Sequence, residues 1–160
     1  MTHYVAKKYF NLLSLKTDDC QFLSMQDIDP SFVYDGMYGD RKDGFLKIME
    51  DIIIPADKFV FVMPEYNGSV PGFLKMFIDA CAVKESFHGK KAALVGVAAG
   101  RAGNLRGLDH MTNILGHIKI NVLSNKIPIS GIGGLVSDGE LNDEATISLL
   151  EGQMEQFINF

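Results

Sequence analysis

Apolar residues along the chain alternate between short continuous runs and helical spacing. The runs at 59–63 and 92–97 are apolar at successive positions, which is typical of central parallel strands covered on both faces. Apolar residues at intervals of three and four predict helices over 3–14, 45–52, 71–81, 105–118 and 143–158. Shorter strands are predicted over 21–25 and 121–124. Residues 29–42 show no periodicity and are predicted to form a loop.

Strands separated by single helices predict one α/β domain over residues 1–160, with a parallel sheet and helices on both faces. Ligands of such sheets bind at the carboxyl ends of the strands. Two chemically unusual segments lie there: the first loop, Pro64–Ser69, and the second loop, Ala98–Asn104. Function is therefore expected at these two loops.

The two loops differ in composition. In the first loop Pro64 fixes φ and Gly68 permits a backbone turn, so N–H groups and the Tyr66 ring can be aimed at a flat ligand. The second loop is mainly Ala and Gly, which let a backbone approach a ligand closely, and Arg101 and Asn104 are its only polar side chains. Each loop alone is also compatible with an ordinary strand–helix connection.

Composition and charge narrow the class of partners. The net charge of −5, with no cluster of Lys or Arg beyond two dipeptides, argues against nucleic acid and anionic membranes. No apolar run has membrane-spanning length and no signal peptide is evident, so a cytoplasmic protein is expected. Cys20 and Cys81 lack CxxC spacing and are expected to be reduced, mostly buried thiols. His110 and His117 lie two helical turns apart, too far to share an ion, so both are expected at a surface or interface and no metal site is predicted.

A longer motif carries a specific resemblance. Residues 64–79 read Pro-Glu-Tyr-Asn, then a Ser and Pro-Gly, then Leu-Lys and an Ile-Asp pair. This segment closely resembles the signature of the NADPH-dependent FMN reductase family, which includes FMN, quinone, chromate and azo-dye reductases. The similarity continues to Asn125-Lys126-Ile127-Pro128 and spans nearly the whole chain. It implies a flavodoxin-like three-layer α/β/α sandwich with strand order 2-1-3-4-5.

The resemblance also implies which residues hold FMN. Those of the first loop would line the isoalloxazine, mostly through backbone groups, with Tyr66 beside the ring: Pro64, Glu65, Tyr66, Asn67 and Gly68. Those of the second loop match the other flavin-contacting segment: Ala99, Gly100, Arg101, Gly103 and Asn104. Many family members carry Gly-Gly where this chain has Gly103-Asn104, so the match implies the loop's role but not its contacts at the ring edge. Lys75 and Asp79 are expected to form a solvated i,i+4 pair.

The family's first strand and phosphate loop have no counterpart in this sequence. The chain opens inside what should be the first helix, and Thr2 sits where the family often has the last hydroxyl residue of the phosphate loop. Without that central strand about ten ladder hydrogen bonds, each worth about 0.5–1.5 kcal/mol, would be missing. We therefore expect about 12–16 further residues before Met1 in the functional protein, and weak phosphate binding if the chain begins there.

The function implied is that of an FMN-dependent NAD(P)H oxidoreductase, which passes hydride from NADPH or NADH to FMN and then reduces a quinone, a free flavin or an azo compound. No catalytic side chain is predicted, and Arg101 is the candidate for the phosphates of the nicotinamide cosubstrate. A homodimer or homotetramer is expected. The alternative is a flavodoxin-like electron carrier without NAD(P)H turnover. A receiver domain is disfavoured, because Met63-Pro64 stands where a receiver needs an Asp.

Overall fold

The computed structural model describes all residues from 1 to 160. The helices are α1 (Thr2–Ser14), α2 (Pro30–Met37), α3 (Asp43–Ile48), α4 (Gly72–Ala80), α5 (Val83–Phe87), α6 (Leu105–His117) and α7 (Glu144–Asn159). The strands are β1 (Lys58–Pro64), β2 (Lys91–Val97), β3 (Asn121–Val122), β4 (Ile127–Ile129), β5 (Val136–Ser137) and β6 (Glu140–Leu141). A π-helical segment at Met49–Ile53 continues α3, and short 3-10 turns lie at Met25–Asp27 and Ile132–Gly134. The predicted helices over 3–14, 45–52, 105–118 and 143–158 are confirmed.

The main sheet is parallel and is built around β2. On one side β1 pairs with β2 along its full length, from Lys58 opposite Lys91 to Pro64 opposite Val97. On the other side β3 pairs with the first residues of β2 and β4 with the last three. β5 and β6 form a separate antiparallel pair. The predicted strands over 59–63 and 92–97 are therefore confirmed, and that over 121–124 is confirmed in its first half.

Helices cover both faces of this sheet. One face packs against α2, α3, α4 and α6 around Phe45, Phe77, Leu94, Leu108 and Met111. The opposite face packs against α1 and α7 around Val5, Val95, Val97, Leu150 and Met154. This arrangement confirms the predicted three-layer α/β/α architecture. None of the helices is long and apolar enough to cross a membrane.

β1 is an edge strand, although its sequence predicts a central one. The sheet order is β1-β2-β3, so one side of β1 has no strand neighbour. Phe59, Val60, Phe61 and Val62 are consequently half-exposed. The predicted strand over 21–25 is wrong, because residues 21–24 pair with no neighbouring strand and Met25 begins a 3-10 turn. An isolated extended segment without ladder hydrogen bonds is not a strand.

The predicted loop over 29–42 is also wrong, since α2 occupies its first half. Asp29 caps this helix, with its Oδ1 accepting from the Ser31 N–H at 2.8 Å, and Pro30 takes the first helical position. Val33 packs into the core, so tertiary burial stabilises a helix with little periodicity. The helix predicted over 71–81 forms as α4, and Pro71 lies at its N-cap, one position before its first turn.

A buried glutamine joins α7 to the interruption between β3 and β4. Where residues 124–126 leave the ladder, the Gln153 Nε2 donates to the Leu94 carbonyl at 3.0 Å and to the Asn125 carbonyl at 2.7 Å. The side chain is fully buried, with 0% exposure. Gln153 therefore replaces hydrogen bonds that a continuous strand would have supplied.

Neither cysteine forms a disulfide, and only Cys81 is fully buried, whereas Cys20 is half-buried. Burial raises the pKa of the Cys81 thiol to about 12. Because the thiolate is the reactive form, Cys81 should stay unreactive at pH 8 while Cys20 is modified. Titration with a chromogenic disulfide reagent should count one thiol in the native protein and two after unfolding. Rapid reaction of both native thiols would contradict the burial of Cys81.

Candidate functional site

The two loops meet because β1 and β2 end side by side. Pro64 lies opposite Val97 in the register of the two strands. The Glu65 N–H then donates to the Val97 carbonyl at 3.0 Å, which extends the pairing by one more bond into the first loop. The structure thus brings together the two segments that the sequence analysis selected, at the carboxyl edge of the sheet.

The first loop contains a tight hairpin-like turn. The backbone groups of Tyr66 and Ser69 exchange two hydrogen bonds, at 3.0 and 3.1 Å. The two residues between them have positive φ, 51° at Asn67 and 74° at Gly68, as in a type I′ turn. Asn-Gly is the residue pair that best tolerates this conformation. The turn leaves the N–H groups of Asn67 and Gly68 without a partner and the Tyr66 side chain 59% exposed.

The second loop presents a row of free amide donors. The N–H groups of residues 99–104 form no hydrogen bond within the protein, and residues 99–102 are exposed. The loop is nevertheless held in place, because Ala98 bonds to the backbone of Ile129 and Ile132, and the Gly100 carbonyl accepts from Gly131. A Cβ at Gly100 would meet no atom within 4 Å. The backbone here is open to an approaching ligand.

The base of the second loop is closely packed. Gly103 has φ +58°, and a Cβ there would lie 2.8 Å from the backbone of Pro128. A Cβ at Gly96, in β2, would lie 2.7 Å from the Gly103 carbonyl oxygen. Both glycines are therefore required so that the loop can fold down onto β2 and β4. Gly103 is buried at the base of the second loop.

Asn104 lies in the interior, although the resemblance places it among the flavin contacts. It adopts the left-handed conformation, with φ 65°, at the cap of α6. Its Nδ2 donates to the Met63 carbonyl at 3.1 Å, and the residue is 0% exposed. Asn104 thus ties the second loop to the end of β1 through its side chain, and its buried Oδ1 has no hydrogen-bond partner.

These residues fit the ring system of a flavin. An isoalloxazine needs hydrogen-bond donors at its pyrimidine edge and an apolar or aromatic neighbour for its ring. The free N–H groups of the two loops supply the donors, and the exposed Tyr66 ring supplies the neighbour. Thr2, the candidate phosphate contact, is the half-buried first residue of α1, and no hydrogen bond joins it to either loop.

The polar residues around the site form a side-chain contact that the sequence did not reveal. Ser69 Oγ lies 2.8 Å from His110 Nδ1, a pair separated by 41 positions with no motif connecting them. His110 is exposed, as predicted, but it is bonded to the first loop. Lys75 and Asp79 form the predicted i,i+4 pair, with Nζ 2.6 Å from Oδ2. No group of His, Cys, Asp and Glu could hold a metal ion.

Comparison with known proteins identifies one family and several relatives whose names agree with it. The profile of the family described as NADPH-dependent FMN reductase matches residues 1–133. An NADPH azoreductase from Bacillus sp. (strain OY1-2) is 30% identical over 113 residues, which are 71% of this chain and 62% of that protein. An NAD(P)H-dependent FMN reductase from Pseudomonas aeruginosa is 33% identical over 104 residues, 62% of this chain and 56% of that protein. The chain therefore spans less than two thirds of the length of these relatives.

Solved structures with the same fold extend the comparison. The flavoenzyme NAD(P)H:(acceptor) oxidoreductase FerB from Paracoccus denitrificans superposes with a TM-score of 0.71 and 25% identity, over 97% of this chain and 88% of that one. An apo NADH:FMN oxidoreductase superposes with a TM-score of 0.73 at 18% identity, over 94% of this chain and 77% of that one. The second similarity bears on the fold alone.

Proposed function

Because the chain belongs to the NADPH-dependent FMN reductase family, we propose that it binds FMN between the first and second loops and works as an FMN-dependent NAD(P)H oxidoreductase. The observation that carries this proposal is the row of free amide donors beside the exposed Tyr66 ring, at the carboxyl ends of two adjacent strands. In an ordinary strand–helix connection, unpaired N–H groups have no partner other than solvent. Such a connection therefore does not require so many free donors in one place.

The roles of the site residues follow from their exposure. Asn67 and Gly68 offer N–H groups from the first loop, and residues 99–102 offer them from the second. Pro64 and Glu65 are half-buried and hold the first loop against the end of β2, which leaves Tyr66 as the residue beside the ring. Gly100 leaves room for the ring, while Gly103 and Asn104 keep the second loop rigid from below.

The chemistry divides between cofactor and protein. When bound, FMN supplies the acceptance of hydride and the delivery of electrons, so no side chain has to act as an acid or a base. The fixed N–H dipoles of the second loop face the site and would stabilise negative charge that develops there, without reorganisation. The exposed Arg101 stands on the same loop, where it can attract the phosphates of NADPH or NADH.

The acceptor is proposed to be a small molecule such as a quinone, a free flavin or an azo compound, the classes named for the relatives. A homodimer or homotetramer in the cytoplasm is proposed as the working form. Exposed Leu105 leaves apolar surface at the first residue of α6, next to the second loop, for a partner subunit. Thr2 is proposed to contribute to the phosphate end of the FMN site.

Anaerobic mixing of the FMN-loaded, full-length protein with NADPH should bleach the visible absorption of the flavin within seconds. Subsequent addition of a quinone should restore this absorption. The expectation follows because typical turnover numbers of enzymes are about 1–1,000 per second. Stopped-flow absorbance with NADPH and with NADH provides the measurement. Bound FMN that neither nucleotide reduces would indicate the alternative, an electron carrier without NAD(P)H turnover.

A further inference from the structure

The turn of the first loop is fastened to α6 by a side-chain contact that the proposed function does not use. Ser69 Oγ and His110 Nδ1 are 2.8 Å apart, and either atom can donate, depending on the tautomer of the ring. We propose that His110 is a positioning residue, which sets the place of the turn and of the Tyr66 ring relative to the flavin site. This inference rests on the proposed function, because it assigns a role to the turn in binding FMN.

Hydrogen bonds within the turn stabilise its conformation, but they do not fix its orientation relative to the rest of the protein. Two backbone hydrogen bonds between Tyr66 and Ser69, and the Asn67-Gly68 pair between them, fix the type I′ conformation locally. Asn67 is exposed and Gly68 is half-buried, and the N–H groups of these two central residues form no hydrogen bond with the rest of the protein. The bond from Glu65 to Val97 holds the turn at its first strand, and a contact at the Ser69 end supplies the second attachment that this rigid turn needs to point in one direction.

Helix α6 presents two side chains to that end of the turn. His110 bonds Ser69, and Arg106, one turn earlier on the helix, has its Nη1 3.7 Å from the position of a Cβ at Gly68. Residues four apart share one face of a helix, so both side chains approach the turn from the same side. The opposite half of the turn, with Tyr66, stays free for a ligand.

The same helix begins at the second loop, which makes the contact relevant to the whole site. Asn104, at the cap of α6, bonds the Met63 carbonyl beneath the two loops, and His110 bonds the first loop above them. The two bonds together fix the spacing between the loops. The buried bond of Asn104 supports the fold, whereas the exposed bond of His110 acts on the turn alone.

A positioning role for His110 can be told apart from a structural role by its effect on stability. A hydrogen bond between exposed side chains adds little to global stability, so its loss should leave the thermal unfolding midpoint nearly unchanged. Freed from α6, the turn would sample orientations in which its N–H groups and the Tyr66 ring miss the flavin. FMN affinity and the KM for the reducing nucleotide should then change without a change in the folded fraction.

The test compares His110→Ala, Ser69→Ala and the double variant in the full-length protein, with FMN affinity measured by the quenching of flavin fluorescence. Each single variant is expected to bind FMN about three- to tenfold more weakly, the loss of one hydrogen bond. The double variant should bind no more weakly than either single variant, because both remove the same contact. His117→Ala is the matched control, since His117 is exposed on α6 and has no hydrogen-bond partner.

Conservative variants provide a further readout. His110→Asn keeps a hydrogen-bonding atom at the position of Nδ1 and should restore most of the affinity. His110→Gln places its amide at the position of Nε2 and should not. Wild-type affinity in His110→Ala, or additive losses in the double variant, would overturn the proposal.

Hydrogen exchange in the flavin-free protein distinguishes this inference from the proposed function. The amides of Tyr66 and Ser69, which bond across the turn, should exchange at least about threefold faster in His110→Ala than in wild type and return toward wild type in His110→Asn. Unchanged exchange would overturn the proposed attachment to α6. If exchange changes but wild-type protein binds no FMN, the attachment stands and the proposed function is contradicted.

Discussion

Replacing Gln153 by glutamate should lower the free energy of unfolding by about 3–5 kcal/mol. The Gln153 Nε2 donates to the carbonyls of Leu94 and Asn125 in a site without solvent access. Glutamate has nearly the same size and shape but replaces this donor with a negatively charged oxygen. Two carbonyls would lose their partner, and a carboxylate would be buried facing their oxygens, which is among the most costly single changes in a core.

Urea unfolding followed by circular dichroism measures this effect, and the chain offers a matched control. Gln156 is one turn further along α7 and exposed, and its Oε1 accepts from the Asn125 Nδ2 at 3.1 Å. Gln156→Glu keeps an acceptor at that position and should change the free energy of unfolding by less than about 0.5 kcal/mol. Equal effects of the two substitutions would show that Gln153 does not bridge the interrupted strand.

Replacing Gly96 by valine should cost about 2–3 kcal/mol and abolish flavin binding. A Cβ at this position would lie 2.7 Å from the Gly103 carbonyl oxygen and 3.0 Å from the Asn104 Cβ. The first obstacle is backbone, so the added atoms cannot be accommodated by turning a flexible side chain. The second loop would be pushed away from β2, which would displace the free N–H groups that form the proposed ring site.

Thermal unfolding and FMN titration together measure the effect of Gly96→Val. Gly116→Ala is its control, because a Cβ at Gly116 meets no atom within 4 Å and alanine favours the helical conformation. That variant should be stabilised by about 0.5–1 kcal/mol and should bind FMN as wild type does. Wild-type stability in Gly96→Val would contradict the close approach of the second loop to β2.

The positions of the two main strands along the chain could be predicted from the sequence, but not the number of strands that lie beside each of them. Continuous apolar residues at 59–63 and 92–97 identify two strands covered by helices, and both form. Such a run shows that both faces are covered, and it contains no information on whether the strand has neighbours on one edge or two. For that reason β1 was predicted as a central strand and lies at an edge. The segment 21–25 was predicted as a strand from a short mixed pattern, and it has no neighbouring strand to pair with.

The candidate site shows the same division between local and non-local information. The Asn67-Gly68 pair carries a strong local signal for the turn that the structure contains. The family resemblance implied a flavin contact for Asn104, because its position matches the second flavin-contacting loop of the family. Its buried bond to Met63 depends on where the second loop meets the end of β1 and has no signature in either segment. The contact between Ser69 and His110 is hidden for the same reason.

Titration of FMN against Gly100→Val and wild-type full-length protein tests the central claim most directly. A Cβ at Gly100 meets no atom within 4 Å and φ there is not positive, so the variant should unfold at the wild-type midpoint. Its side chain would project into the open space where the ring is proposed to lie. We expect FMN to bind the variant at least about tenfold more weakly than wild type. Equal affinity in the two folded proteins would contradict the assignment of FMN to these loops.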